Sequence, residues 1–382
     1  MPQPVLSRRS LNRATLARQL LLERSGLDTL AAVEHLLGLQ AQTPHSWYVG
    51  LWSRLVDFDP LVVGRALESH RLVRIAVMRS TIHLVSARDA VMMRPVVQAV
   101  TDRARHAFGS RWQGLDLDTV AEASRELLER RPLSFAELGS ELHKTWPDHD
   151  VQALGQVARM KLALVQTPPR GVWGKSGLAR HTTIESWLPE LADAERIPRG
   201  TEAVDEMVLR YFGAFGPASV HDLQAWCGLT RLREVVERLR ARLSAFRDED
   251  GTELFDLPDA ARPHADTPAP VRFLYDYDNV LLSYANRSRM TGYDTAVLGS
   301  AKNGILPNLV LVDGTVSAAW ALSRTEDSAT IDVSLLGPVS AAHRQQLSEE
   351  GAALARFLAP DSNAVDVRMV DSAPSVLRAG AE

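Results

Sequence analysis

Apolar positions recur at helical spacing from Leu11 to Leu22 and again from about Leu27, where Asp28 stands as a natural N-cap. A third helix is predicted over Ser46 to Leu55 and a fourth over Pro60 to Ser69. The period then changes. Leu72 to Met78 and Thr81 to Val85 read as short strands separated by Arg79-Ser80. Helices followed by a β-hairpin is the element order of a winged helix.

The order recurs. After a connecting helix from about Ala87 to Phe108, helices are predicted at Leu117 to Glu129, Phe135 to Thr145 and Asp150 to Leu162. Leu164 to Thr167 and Gly171 to Trp173 then read as a second hairpin around Pro168-Pro169-Arg170. A third copy runs through Glu202 to Phe212, Val220 to Trp226 and Arg231 to Leu243, with a hairpin of Ser244 to Arg247 and Glu253 to Asp256. Pro132-Leu133-Ser134-Phe135-Ala136-Glu137-Leu138 matches Pro217-Ala218-Ser219-Val220-His221-Asp222-Leu223, a Ser cap with an acidic residue three positions on. Residues 258–270, rich in proline, form a linker. Beyond it the pattern is mostly β: Val271 to Leu274, Ala296 to Gly299, Leu309 to Asp313, Thr315 to Leu322 and Ala329 to Leu335. A helix over Ala341 to Phe357 follows, and the end frays from about Ser372. The expected fold is α+β, with tandem winged helices over 1–110, 111–198 and 199–258 and a further domain over 271–382.

Composition narrows the function. A chain of 382 residues exceeds what one core usually organises. Its longest apolar runs, such as Leu309-Val310-Leu311-Val312, cannot span a bilayer, and no charged start leads into an apolar run, so a cytoplasmic protein is expected. The single cysteine, Cys227, excludes internal disulfides and cysteine metal clusters. Eleven histidines lie scattered without ligand spacing, so neither metal nor cofactor is expected. The net charge of −4 argues against a protein that merely coats nucleic acid, yet Arg8, Arg9, Arg13, Arg18 and Arg24 face only Glu23 in the first 25 residues. A basic face on a near-neutral molecule is compatible with that distribution.

The candidate chemistry centres on Leu36-Leu37-Gly38-Leu39-Gln40-Ala41-Gln42-Thr43-Pro44, where a helical run ends in two glutamines one residue apart. Pro44 disfavours helix at Thr43, and in an extended segment Gln40 and Gln42 point the same way. A primary amide both donates and accepts, so two of them can hold a water; an ordinary polar helix terminus is the alternative reading. His83 reads as a hydrogen-bonded structural histidine, and Arg79-Ser80-Thr81 either as a phosphate contact or as a plain polar turn. In the stretch from Tyr275 to Arg289, Arg287 and Arg289 are candidate phosphate contacts and Asp276 or Asp278 candidate carboxylates, against a turn with solvated charges.

Arg9-Ser10-Leu11-Asn12-Arg13-Ala14-Thr15-Leu16, Gly38-Leu39-Gln40-Ala41-Gln42, Tyr48-Val49-Gly50-Leu51-Trp52 and Arg79-Ser80-Thr81-Ile82-His83-Leu84 together resemble the AlkZ-like winged-helix DNA glycosylases. Tyr277 to Ser283 and Leu311-Val312-Asp313-Gly314 extend the resemblance over nearly the whole chain. It implies three tandem winged helices and a C-terminal β-barrel-like domain, C-shaped around duplex DNA. It also implies a monofunctional enzyme, without cofactor, that releases N7-alkylated guanines and unhooks bulky or crosslinking natural-product adducts, with self-resistance as its setting. The family's Gln–hydrophobic–Gln motif falls on Gln40 and Gln42, and a sister group carries aspartate at the second position. Arg79, Thr81, His83, Arg287 and Arg289 are the DNA contacts expected on this basis. A hairpin in the DNA cleft is best placed at Lys302, Asn303 and Gly304. The expected partners are duplex DNA carrying alkylated guanine and the genotoxin adduct itself, with no membrane, and the expected state is a monomer. A non-catalytic winged-helix transcriptional regulator and a protein that sequesters the free genotoxin are the competing classes.

Overall fold

The structure is a computed structural model that describes residues 3–103, 109–192, 194, 196–291 and 307–371. Strand β1 (Val5–Leu6) leads into α1 (Arg8–Arg18), capped by the Ser7 hydroxyl on the Ser10 amide. Helix α2 (Thr29–His35) starts at Asp28, as its capping position predicts. The two-residue strand β2 (Leu39–Gln40), α3 (Trp47–Trp52) and α4 (Pro60–Glu68) follow, then the hairpin of β3 (Leu72–Ala76) and β4 (Ile82–Ser86). Ser86 caps α5 (Ala87–Val96), and α6 (Gln98–Thr101) ends the described part of this stretch.

The repeated Ser-x-x-acid signature produces two capping boxes. Ser134 and Glu137 start the helix after α7 (Leu117–Arg130), namely α8 (Phe135–His143); α9 (Val151–Lys161) follows. Beyond the long α10 (Gly200–Phe215), Ser219 and Asp222 start α11 (Val220–Cys227), followed by α12 (Arg233–Arg238). Helix α10 buries Ala203, Met207, Tyr211 and Phe215, a stripe at spacings of four.

The second hairpin differs from expectation. Strand β5 (Leu164–Gln166) pairs with β6 (His181–Thr183), and 171–173 form no strand. Their backbone is engaged elsewhere: the Tyr48 hydroxyl donates to the Gly171 carbonyl at 3.0 Å and accepts from the Trp173 amide at 3.0 Å, while His45 Nε2 meets the Val172 carbonyl at 2.9 Å. Strand β5 also pairs with β3, through Arg74 opposite Gln166 and Ile75 opposite Val165. Strands of the first two stretches therefore share one sheet, in the order β2-β4-β3-β5-β6. The third hairpin, β7 (Ser244–Asp248) and β8 (Glu253–Asp256), takes β1 as a parallel neighbour of β7.

Among the described residues the C-terminal sheet is open and not a closed barrel. It consists of β9 (Arg272–Phe273), β10 (Asn308–Val312), β11 (Thr315–Arg324), β12 (Ser328–Leu335) and β13 (Ala364–Asp371), in the order β13-β12-β11-β10-β9. Helix α13 (Ala341–Leu358) crosses over so that β13 lies parallel to β12, opposite in the sheet to β9. The two edges do not meet. The strand expected at Ala296 to Gly299 lies outside the described residues.

One apolar core joins Trp47, Tyr48 and Leu51 of α3 to Phe273, Tyr275, Val310 and Ile331 around the C-terminal sheet. A second joins Leu37, Ile75 and Val85 to Tyr211, Phe215 and Trp226. The segment between Leu37 and Trp47 runs where these two cores adjoin. It is fastened by the Asn279 amide, which donates to the Gly38 carbonyl at 2.9 Å.

Candidate functional site

Gly38 makes the glutamine segment possible. Its φ of +86° reverses the chain after α2, and a Cβ there would lie 2.8 Å from the Leu84 carbonyl oxygen. The chain then pairs with β4, Gln40 opposite His83, and the Ala41 amide donates to the Ile82 carbonyl at 2.7 Å. Gln40 is 5% exposed and Gln42 is exposed.

Both amide side chains are held by the turn between β3 and β4. Arg79 Nη2 donates to Gln40 Oε1 at 2.7 Å, and the Ile82 amide donates to Gln42 Oε1 at 3.3 Å. Arg79 Nη1 donates to the Trp226 carbonyl in the last turn of α11, the end of a helix where a cation is favoured. The turn is strained: Arg79 has φ +54° and Ser80 φ +59°, and Gly228 lies against the Arg79 Cα.

A second arginine lies beneath. Arg74, 1% exposed, donates from Nη2 to the carbonyl of Ala41, between the two glutamines, at 2.8 Å. Neither Arg74 nor Arg79 has a carboxylate partner among the described residues. Burial pulls each guanidinium down to about 10, and the positive charges of Arg170 on Arg74 and of Arg287 on Arg79 act in the same direction. Arg287 is half-buried, and its guanidinium has no hydrogen-bond or ion-pair partner among the described residues. The site is thus cationic with neutral groups at its centre.

The other expected contacts divide. Thr81 is half-buried and donates to the Met78 carbonyl at 3.0 Å. His83 is interior at 2% exposure, its Nδ1 2.9 Å from the Thr81 carbonyl. Burial lowers its pKa to about 3, and as a neutral Nδ1–H tautomer it braces the turn. Arg289 is also interior: it donates to the Pro217 carbonyl at 2.9 Å and stacks on the Tyr284 ring. Lys302, Asn303 and Gly304 lie outside the described residues.

The alternative carboxylates have structural partners. Asp276 accepts from Thr43 Oγ1 at 2.6 Å and Ser46 Oγ at 2.7 Å, closing the turn that follows Gln42; burial raises its pKa. Asp278 binds Arg54. Among the described residues no group of three or more His, Cys, Asp or Glu is placed to hold a metal, and no helix is long and apolar enough to cross a membrane.

Arg79 thus holds Gln40, the Ile82 amide holds Gln42, and Arg74 holds the backbone between them. The model of the family described as DNA glycosylase AlkZ-like matches residues 33–357. The chain belongs to the AlkZ-like DNA glycosylase family. A relative described as an interstrand DNA cross-link repair glycosylase, from Streptomyces sahachiroi, is 24% identical over 335 residues, covering 80% of this chain and 85% of the relative. The solved structure of Streptomyces sahachiroi DNA glycosylase AlkZ superposes with a TM-score of 0.73 at 20% identity, over 96% of this chain and 100% of that one. That likeness shows the shared fold.

Within this glycosylase, sequence reasoning missed Arg74, Trp226 and Gly228. A lone arginine in the apolar run Leu72-Val73-Arg74-Ile75-Ala76 was the available signal for the first. Nothing local marks the other two, whose part is set by contacts across the chain.

Proposed function

We propose that this glycosylase hydrolyses the N-glycosidic bond of N7-alkylguanine in duplex DNA, including bulky natural-product monoadducts and interstrand cross-links, in DNA repair and self-resistance to a genotoxic antibiotic. The observation that carries this reading is the pair of amides, Gln40 and Gln42, held by Arg79 of one strained turn and by the Ile82 amide just after it. The cross-link activity named for the Streptomyces sahachiroi relative supports the substrate class. On this reading residues 1–110, 111–198 and 199–258 are three winged helices that, with 271–382, curve around the duplex, and the enzyme acts as a cytoplasmic monomer.

The chemistry suits neutral groups. Alkylation at N7 places a positive charge on guanine, so the base leaves without a strong general acid. The transition state resembles an oxocarbenium ion, as in other glycosyl hydrolyses. The protein's task is then to hold a water against C1′, and positioning of this kind supplies up to about 7–11 kcal/mol. Gln40 and Gln42 hold the water; Arg287, half-buried and without a side-chain partner among the described residues, takes a backbone phosphate.

The test is base release from duplex DNA carrying N7-methylguanine or a natural-product N7-guanine adduct, without metal or cofactor. Gln40→Ala and Gln42→Ala are expected to fold and bind DNA yet lose release. Near-wild-type release by both would remove the glutamine mechanism. DNA binding with no release from any adduct would favour the transcriptional regulator.

A further inference from the structure

An arginine can only donate, and so can a backbone amide. The atom of Gln40 facing Arg79 is therefore Oε1, and the atom of Gln42 facing the Ile82 amide is also Oε1; neither side chain can be flipped without setting donor against donor. The two grips differ in strength. Gln40 Oε1 takes a charged donor at 2.7 Å, whereas Gln42 Oε1 takes a neutral one at 3.3 Å, the long end of the hydrogen-bond range. A guanidinium on an amide oxygen draws electron density from the carbonyl, which strengthens the N–H donors and weakens the remaining lone pair.

We infer that Arg79 is a positioning residue that commits Gln40 to donating through Nε2, and so leaves Gln42 Oε1 to accept the water's hydrogen bond, the water's proton passing to solvent once its oxygen has bonded to C1′. The inference rests on the glutamine reading above. Arg79 gains its own fixed position from the Trp226 carbonyl and the left-handed turn, so the clamp reaches from α11 to the glutamine segment. In this arrangement the water oxygen sits against the Gln40 amide nitrogen. Its O–H points at Gln42, and a lone pair stays free for C1′. The two glutamines are chemically identical and perform opposite tasks.

The experiment measures single-turnover release of N7-methylguanine from a duplex at saturating enzyme, with DNA affinity measured across a salt series. Arg79→Met is expected to slow release about 100-fold, the scale of a misplaced catalytic group. Arg79→Lys, which keeps one donor, slows it less, and added guanidinium partly restores Arg79→Gly. The slope of affinity against salt stays at the wild-type value, because a lost phosphate contact would reduce it by about 0.9. Gln40→Glu keeps the Arg79 contact but loses the donors and is expected to be inactive, whereas Gln42→Glu, which keeps an acceptor, is expected to be slowed less. A wild-type rate in folded Arg79→Met or Arg79→Lys overturns the inference. So does a reduced salt slope with an unchanged saturated rate, which makes Arg79 a phosphate contact. Equal loss in Gln40→Glu and Gln42→Glu overturns the division of roles. Full release by Gln40→Ala instead removes the glutamine mechanism itself, whatever Arg79 does.

Discussion

Arg54 and Asp278 form a two-pronged ion pair, at 2.7 and 2.8 Å, with neither side chain exposed. Arg54 Nη1 also donates to the Gly50 carbonyl at 2.9 Å. The pair ties the end of α3 to the segment after the C-terminal sheet's first strand, directly behind the glutamine turn. Removing one partner leaves a charge buried and alone. Asp278→Asn is therefore expected to destabilise the protein by about 3–5 kcal/mol, read from the midpoint of urea unfolding. A loss under 1 kcal/mol would mean that water reaches Arg54.

His83 predicts a pH dependence with a definite sign. Its folded pKa, about 3, lies below the ordinary 6.5, so in between the unfolded chain binds a proton that the folded chain refuses. Stability is full above pH 6.5 and declines as the pH falls towards 3. His181, lowered to about 4 by burial, adds to the same decline. The combined loss is on the order of a few kcal/mol. Denaturation series from pH 7.5 to 4 for wild type and His83→Gln check it, and the variant's curve should be the shallower.

Gly228 and Gly38 predict different consequences from the same backbone class. Gly228→Ala meets an unfavourable φ of +82° and places a methyl 3.0 Å from Val100 Cγ1, a side chain that can shift, and 3.4 Å from the Arg79 Cα. It should cost about 1–2 kcal/mol and slow base release by displacing the clamp. Gly38→Ala drives its methyl into the Leu84 carbonyl oxygen and breaks the pairing of β2 with β4. Its expected loss is larger, and thermal melts of the two variants rank them.

Asp276→Asn separates a structural carboxylate from a catalytic one. With Thr43 and Ser46 as its donors, the substitution loosens the turn after Gln42 without removing a reacting group. Release should persist at a rate within about tenfold of wild type, since hydrogen bonds to a charged group contribute about 1.5–3 kcal/mol, largely to stability here. Complete loss in a folded, DNA-binding variant would return Asp276 to the mechanism.

Local signals explain what could be read from the chain. Asp28, Ser134 and Ser219 start helices because a cap and the apolar face after it lie within one turn of each other. The second hairpin was misplaced because the backbone of 171–173 is spoken for by Tyr48 and His45, more than a hundred residues away. Barrel closure, expected only from the family resemblance, is absent among the described residues: β9 and β13 lie at opposite edges of the sheet. Alternation was present in Val365, Val367 and Met369, where no strand was expected, and a strand formed. At the site, the two glutamines were legible as a pair. That Arg79 grips Gln40, while His83 and Arg289 turn inward, follows from burial that no motif displays.

The grip of Arg79 on the Trp226 carbonyl spans 147 residues. During synthesis the glutamines leave the ribosome long before the helix that anchors their clamp. A growing chain, or one truncated ahead of Trp226, carries the motif without the means to aim it. Until the third helical stretch has docked, Arg79 has no Trp226 carbonyl to anchor it, and Gln40 lacks the fixed donor that orients it in the folded protein.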